Sequence, residues 1–346
     1  MLAFTIMCDV YCKWIYGYYE QEATKMKKLI KDKTQFLSDM LDGMLEVNKN
    51  IELIADSVIV RKDKKQEGVA IVSGGGSGHE PAHAGYVTDG MLDAAVCGEI
   101  FTSPTPDKIL SAIKAVDTGQ GVLLIVKNYA GDVMNFEMAQ DMAAMEDIEV
   151  ATVIVKDDVA VEEPSQRRGV AGTVLAHKYA GYLAEQGTDL HSLQSRVQTF
   201  VDSVKSIGMA LTPPMVPTTG QYGFDIDADE IELGIGIHGE KGLSKEPVQP
   251  VDTIVSHLLQ PLLAEIETDD VIVMVNGMGG TPISELNIVT KYVSEYCEAK
   301  NLAVKHWLVG DYMTSLDMQG FSITLAPYSE TVLTALTQTT ASRYFN

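Results

Sequence analysis

The stretch Ile71-Val-Ser-Gly-Gly-Gly-Ser-Gly-His-Glu-Pro-Ala-His83 gathers the densest set of chemically informative residues in the chain. Gly74, Gly75, Gly76 and Gly78 fall within five positions. Glycines at that density remove the side chains that would hold a ligand off the backbone, and they permit positive φ. Gly68 to Ser73 is apolar and β-branched, which reads as a buried strand. Pro81 suits the first turn of a helix, where its missing N–H costs nothing. The expectation is therefore strand, glycine loop and helix N-terminus, with backbone N–H groups turned to an oxygen-rich ligand and with His79 and Glu80 at the junction. Lys127 and Asp132 likewise follow an apolar run, Gly121 to Val126. His238 stands between glycines in Gly236-Ile-His-Gly-Glu240.

Other patterns carry less. His79-Glu-Pro-Ala-His83 spells the H-E-x-x-H of zinc hydrolases, but Pro81 would break the helix that such a site requires, and no third ligand is evident. Gly234-Ile-Gly-Ile-His-Gly239 spells G-x-G-x-x-G, but a loop-like segment follows where a dinucleotide site needs a helix. Asp225-Ile-Asp-Ala-Asp229 begins like a calcium loop and then has Glu230 at the obligatory glycine. No metal site is expected. The chain contains no G-x-x-x-x-G-K-[ST], so it carries no P-loop of its own. His177, His191, His257 and His306 are read as structural.

The elements that must position these residues alternate. Apolar residues recur at helical spacing from Lys27 to Asn50, and Ser57 to Arg61 is a short strand. Met91 to Cys97 is apolar, and Gly121 to Val126 and Val150 to Val155 are strands of the kind buried on both faces of a parallel sheet. Helices separate them: one started by the prolines after Thr102 or Ser103, and one beginning near Met134. Strand, loop and helix repeat without hairpin signals, which predicts an α/β fold whose first domain is a doubly wound, mostly parallel sheet. Ligands in such sheets lie beyond the carboxyl ends of the strands, so His79, Lys127 and Asp132 are expected in one crevice. Gly172 to Gln186 and His191 to Met209 read as helices, and prolines 213, 214 and 217 as a break. Strands are expected at Glu232 to His238, Val271 to Val275, Ala303 to Val309 and Phe321 to Leu325, and a helix at Thr253 to Ile266. The expected division is an N-terminal α/β domain over 26–195 and a smaller α/β domain over 196–346.

The 346 residues hold 26 Lys+Arg against 48 Asp+Glu, a net charge of −22, which argues against direct nucleic-acid or anionic-membrane binding. Cys8, Cys12, Cys97 and Cys297 form neither a disulfide framework nor a zinc ribbon, and a reducing cytoplasm fits. Residues 1–25 are apolar but interrupted by Asp9 and Lys13, too short for a confident membrane span and unlike a signal peptide. They are expected to be a dispensable extension.

Six segments together carry a resemblance: Ser73-Gly-Gly-Gly-Ser-Gly-His-Glu-Pro81, Gly98 to Asp107, Lys127-Asn-Tyr-Ala-Gly-Asp-Val-Met-Asn-Phe-Glu137, Arg167-Arg-Gly-Val-Ala-Gly-Thr173, Gly236 to Glu240, and Thr314-Ser-Leu-Asp-Met318. From about Met26 to Asn346 the chain resembles the dihydroxyacetone-binding subunits of phosphotransferase-system-dependent dihydroxyacetone kinases. That resemblance implies a homodimer of two-domain subunits. It implies that His238 adds to the ketone of dihydroxyacetone and holds it as a hemiaminal. His79 and Asp132 would bind substrate hydroxyls as acid and base, with Gly76, Ser77, Gly78 and Lys127 lining the site. It implies that ATP or ADP, with Mg, is carried by a separate subunit, rephosphorylated by a phosphotransferase-linked chain. Val161-Glu-Glu-Pro-Ser-Gln-Arg167 is several residues shorter than the corresponding family segment. A second reading therefore stands beside the first, in which the chain senses dihydroxyacetone and co-activates a transcription factor of its operon.

Overall fold

The structure, a computed structural model, describes residues 26–345; the extension expected at 1–25 lies outside the described residues. The first helix, α1, is Phe36–Val47, with Leu37 and Leu41 buried. It begins later than the periodicity from Lys27 suggested, because Asp32 first caps a single 3-10 turn by accepting the Thr34 N–H at 2.9 Å. Strands β1 (Ile51–Ile54) and β2 (Val58–Arg61) then form an antiparallel hairpin that sequence reading missed. Its turn puts the non-glycine residues Ala55 and Asp56 at positive φ, so the usual glycine signal is absent.

The remaining first-half strands are β3 (Ala70–Ser77), β4 (Ala94–Ile100), β5 (Val122–Lys127) and β6 (Val150–Val155). Their sheet has the order β1-β2-β4-β3-β5-β6. β3, β4, β5 and β6 are parallel to their neighbours within that set, and the hairpin adds an antiparallel edge. Both faces are covered, as an apolar strand such as β5 demands. Leu123 and Ile125 point to one core, while Val122, Leu124 and Val126 point to the other. The second of these cores is closed by α2 (Pro106–Val116) and α3 (Ala130–Ala144). α2 is capped at Thr105, with Pro106 at its first position, rather than at Thr102 or Ser103. α3 starts four residues before Met134 was expected to open it, which places Asp132 in its first turn.

The first core is closed by α4 (Gly172–Glu185) and α5 (Leu190–Ser203). The helix expected to reach Met209 stops at Ser203, and β7 (Lys205–Ala210) enters the middle of a second sheet. The division expected at 195/196 thus falls inside α5, and the chain passes between the sheets at Val204. The short ribbon β8 (Met215–Val216) and β9 (Gln221–Tyr222) follows, then β10 (Glu230–Leu233) and β11 (Ser244–Pro247). Next come α6 (Val251–Leu263), β12 (Asp270–Gly277), α7 (Ile283–Ala299), β13 (Ala303–Gly310), β14 (Gly320–Pro327) and α8 (Glu330–Thr337). The second sheet has the order β11-β10-β7-β14-β12-β13, and only β12 and β13 are parallel. No helix among the described residues is long and apolar enough to cross a membrane.

α4 joins the halves. Val174 and Leu175 share one core with Ile71 and Leu123 of the first sheet and with Ile272 and Met274 of the second. A helix with neighbours on all sides has no need of a polar face, and its residues are buried almost throughout. Its closest approach is at Gly181, where an added Cβ would lie 2.4 Å from the carbonyl carbon of Gly90. Gly181→Ala is expected to destabilise the fold by about 1–3 kcal/mol, the usual cost of overpacking. The urea midpoint measures it, and an unchanged midpoint would show that the Gly90 turn yields freely.

Candidate active site

The glycines of the 71–83 stretch do something other than end a strand and open a helix. β3 runs through Gly74, Gly75 and Gly76, which pair with Val96, Cys97 and Gly98 of β4. A Cβ on Gly74 would lie 2.4 Å from the Val96 carbonyl oxygen, and one on Gly76 would lie 2.6 Å from the Thr102 nitrogen. On Gly75 it would lie 2.3 Å from the Lys127 Nζ. The missing side chains admit neighbouring backbone and one ammonium group. After Gly78, the one member of the four at positive φ, the chain turns into a 3-10 segment at Ala84–Tyr86, and no α-helix follows. The expected row of free N–H groups is accordingly absent. The Gly78 N–H goes to the Glu80 carboxylate at 3.1 Å, and the Ser77 hydroxyl donates to the Gly98 carbonyl at 2.7 Å.

Lys127, the last residue of β5, is fully buried. Its Nζ lies 3.3 Å from Asp132 Oδ2, 3.3 Å from the Gly74 carbonyl oxygen and 3.0 Å from His83 Nε2. Asp132 also accepts from the Ser103 hydroxyl at 2.5 Å. Its place in the first turn of α3 sets a carboxylate at the positive end of the helix.

Two histidine rings from opposite halves meet beside this pair. His79 is fully buried and donates Nδ1–H to the Thr314 carbonyl at 2.8 Å, since a carbonyl can only accept. Its Nε2 has no partner among the described residues. Burial, and then the neighbouring His238 and Lys127, hold the ring well below the ordinary histidine value. It is therefore neutral, with a bare Nε2 lone pair. His238 lies in the loop after β10, its ring 4.7 Å from that of His79 and edge-on to it. Phe101 stacks on His79 at 5.2 Å, and Phe101 and Tyr129 meet His238 edge-on at 5.2 and 4.6 Å.

Glu240 grips His238 twice, accepting Nδ1–H at 2.7 Å and the backbone N–H at 2.9 Å. With Nδ1 committed to Glu240, Nε2 is the ring nitrogen left to face a ligand, and the side chain remains 19% exposed, so a small ligand can reach it. Arrangements of this kind, a base-oriented imidazole beside a second neutral imidazole, suit nucleophilic addition followed by proton transfer. The two groups of residues are linked by the turn Phe101 to Ser103, which supplies the stacking ring at one end and the hydroxyl on Asp132 at the other.

The segment after β13 sets His79 in place. Thr314 N–H donates to the His79 carbonyl at 3.2 Å, Thr314 Oγ1 to the Glu80 carbonyl at 2.8 Å, and Leu316 N–H to the Gly78 carbonyl at 2.7 Å. The H-E-x-x-H pattern forms no helix: His79 faces Thr314 and His238, whereas His83 faces Lys127 and Ser73. The G-x-G-x-x-G stretch leads to β11, also without a helix. Phe101, Ser103, Tyr129, Glu240 and Thr314 were not singled out from sequence, although each lies in a segment that carried the resemblance. Among them only Glu240, an acid two residues from His238, had a local signal.

Residues 42–344 match the family profile described as the Dak1 domain. The chain is 49% identical over 308 residues to the dihydroxyacetone-binding subunit of PTS-dependent dihydroxyacetone kinase 1 from Listeria innocua, covering 87% of this chain and 94% of that one. It is 41% identical over 340 residues to the dihydroxyacetone-binding subunit of the PEP-dependent dihydroxyacetone kinase from Escherichia coli, covering 89% and 96%. Among solved structures it resembles the dihydroxyacetone kinase of C. freundii, with a TM-score of 0.86 and 36% identity, covering 92% of this chain and 60% of that one. It also resembles a dihydroxyacetone kinase operon co-activator, with a TM-score of 0.85 and 34% identity, covering 89% and 98%.

The grip of Glu240 on His238 has a pH signature. Burial alone would raise the Glu240 carboxyl, but the hydrogen bonds from His238 outweigh it and hold the group at about 2, against an ordinary 4.5. A carboxyl depressed on folding contributes stability that is complete above its unfolded value and is lost as pH falls through its folded one. The stability gap between the wild-type chain and Glu240→Gln should therefore shrink as pH is lowered from about 4.5 to about 2. Denaturant midpoints measured across that window check it, and a constant gap would dismiss the contact as a source of stability.

Proposed function

Because the chain belongs to the Dak1-domain family, of the dihydroxyacetone-binding-subunit type, we propose that it captures dihydroxyacetone covalently on His238 and presents it for phosphorylation by a separate nucleotide-carrying subunit. The observation that carries this reading is the pairing of His238, fixed by Glu240 through Nδ1, with the bare and buried Nε2 of His79.

In this reading Nε2 of His238 attacks the ketone carbon. A nitrogen–carbon bond forms, the carbonyl π pair moves to oxygen, and that oxygen takes a proton from solvent, because neither His79 Nε2 nor Asp132 carries one to give. The ring becomes cationic and is held against the Glu240 carboxylate through Nδ1–H. Dihydroxyacetone is small and uncharged, so non-covalent contacts alone would bind it weakly. The covalent step also rejects glycerol, which has similar hydroxyls and no carbonyl. The neutral His79 accepts a substrate hydroxyl hydrogen at Nε2. Asp132 takes the proton of the terminal hydroxyl as that oxygen attacks the γ-phosphorus of ATP on the partner, with ADP leaving.

A second reading, a sensor that binds dihydroxyacetone and co-activates transcription, is favoured by the short 161–167 segment. Asn128 holds that segment next to Lys127, donating to the carbonyls of Ser165 and Arg167 at 3.1 and 2.8 Å.

Carbonyl-labelled dihydroxyacetone bound to the wild-type chain should give a tetrahedral-carbon NMR signal that His238→Ala abolishes; a persisting signal would assign the nucleophile elsewhere. With nucleotide-carrying and phosphodonor subunits added, the wild-type chain should form dihydroxyacetone phosphate. Asp132→Asn should keep the adduct and lose turnover by about 10²–10⁴-fold, the usual range for a general base. An adduct without any wild-type product would instead favour the sensor.

A further inference from the structure

A buried polar chain behind Asp132 is left unused by this chemistry. Lys127, His83, Ser73 and His177 are all buried, and three of them completely. An ammonium group has three hydrogens to donate and accepts none. Three acceptors surround Lys127 Nζ: the Gly74 carbonyl oxygen at 3.3 Å, Asp132 Oδ2 at 3.3 Å and His83 Nε2 at 3.0 Å. His83 Nε2 is therefore the bare nitrogen, and Nδ1 carries the ring's hydrogen. That hydrogen faces Ser73 Oγ at 3.3 Å. Ser73 spends its own proton on the Ile125 carbonyl at 2.7 Å, so its oxygen accepts from His83 and from His177 Nε2–H, the latter at 3.1 Å. His177 Nδ1 ends the chain as a buried acceptor with no partner among the described residues. Each hydrogen is thus set by the one before it. Burial and the nearby Lys127 charge keep both rings neutral: His83 is held well below the ordinary value, and His177 falls to about 3. Gly75 makes room, since any side chain there would meet Nζ.

We propose that His83, seated by Ser73 and His177, is a positioning residue whose Nε2 takes one hydrogen of the Lys127 ammonium and so turns another onto Asp132. The effect on turnover rests on the reading of Asp132 as base; the orientation of Lys127 does not.

Two measurements on the full chain test this. Long-range proton–nitrogen correlation spectra of the histidine-labelled wild-type protein should find His83 protonated on Nδ1 and His177 on Nε2. Neither should titrate where an exposed histidine does. His83 protonated on Nε2, or a titrating His83, would overturn the proposal, whether or not the protein proves to be a kinase subunit. The second measurement compares His83→Leu, which offers Lys127 no acceptor, with His83→Gln, whose amide oxygen can replace Nε2. Both should retain the dihydroxyacetone adduct. With the partner subunits, His83→Leu should lower kcat by at least about tenfold at little-changed KM, as expected for loss of an orienting outer partner. His83→Gln should recover most of that loss. Equal kcat in wild type, Leu and Gln variants would overturn the positioning role. If the Leu variant does not fold, the wild-type spectra and the Gln variant still decide it. Absence of product from the wild-type chain would count against the phosphoryl-transfer reading alone.

Discussion

The buried ammonium of Lys127 constrains more of this structure than any other single group. A charge removed from water must be matched by hydrogen-bond acceptors at close range, or the fold bears the whole desolvation cost. Gly74 supplies a carbonyl, Asp132 a carboxylate and His83 a ring nitrogen. Each in turn makes a demand. Gly75 must lack a side chain, α3 must begin early enough to bring Asp132 within reach, and His83 must stay neutral. The glycine-rich strand is thus shaped by what lies against it.

The second organising feature is the seam between the halves. His79 comes from the end of the first sheet, and His238 from the loop after β10 in the second. The segment Thr314 to Leu316 stitches the Gly78–Glu80 turn to the second half through three hydrogen bonds, and Thr314 also accepts the His79 ring hydrogen. α4 fills the space between the sheets and places both in one core. The paired rings therefore exist only when both halves are assembled, which ties the chemistry to the whole fold. A site assembled in this way needs no flexible loop to bring its groups together, and a small ketone gains from that preorganisation.

Much was legible in the sequence. Apolar β-branched runs such as Val122 to Val126 and Val150 to Val155 read as strands, the first fully buried and the second half-buried at the edge of the sheet, and their alternation with helices gives the doubly wound first half. Lys127, Asp132, His79 and His238 stand out as polar residues following apolar runs or flanked by glycine. Local chemistry alone decides such features, so no neighbour is needed to see them. What only the tertiary structure decided depends on residues far apart in the chain. Glycines 74 to 76 read as a ligand loop because their sequence does not reveal that Val96, Lys127 and Thr102 come within van der Waals distance. His83 and His177, one assigned to a doubtful zinc pattern and the other set aside as structural, share the hydroxyl of Ser73, which lies 104 residues from His177. Spacing along the chain records what a residue is and how its segment folds; which acceptor meets a buried hydrogen is fixed only when the strands and helices pack and water is gone.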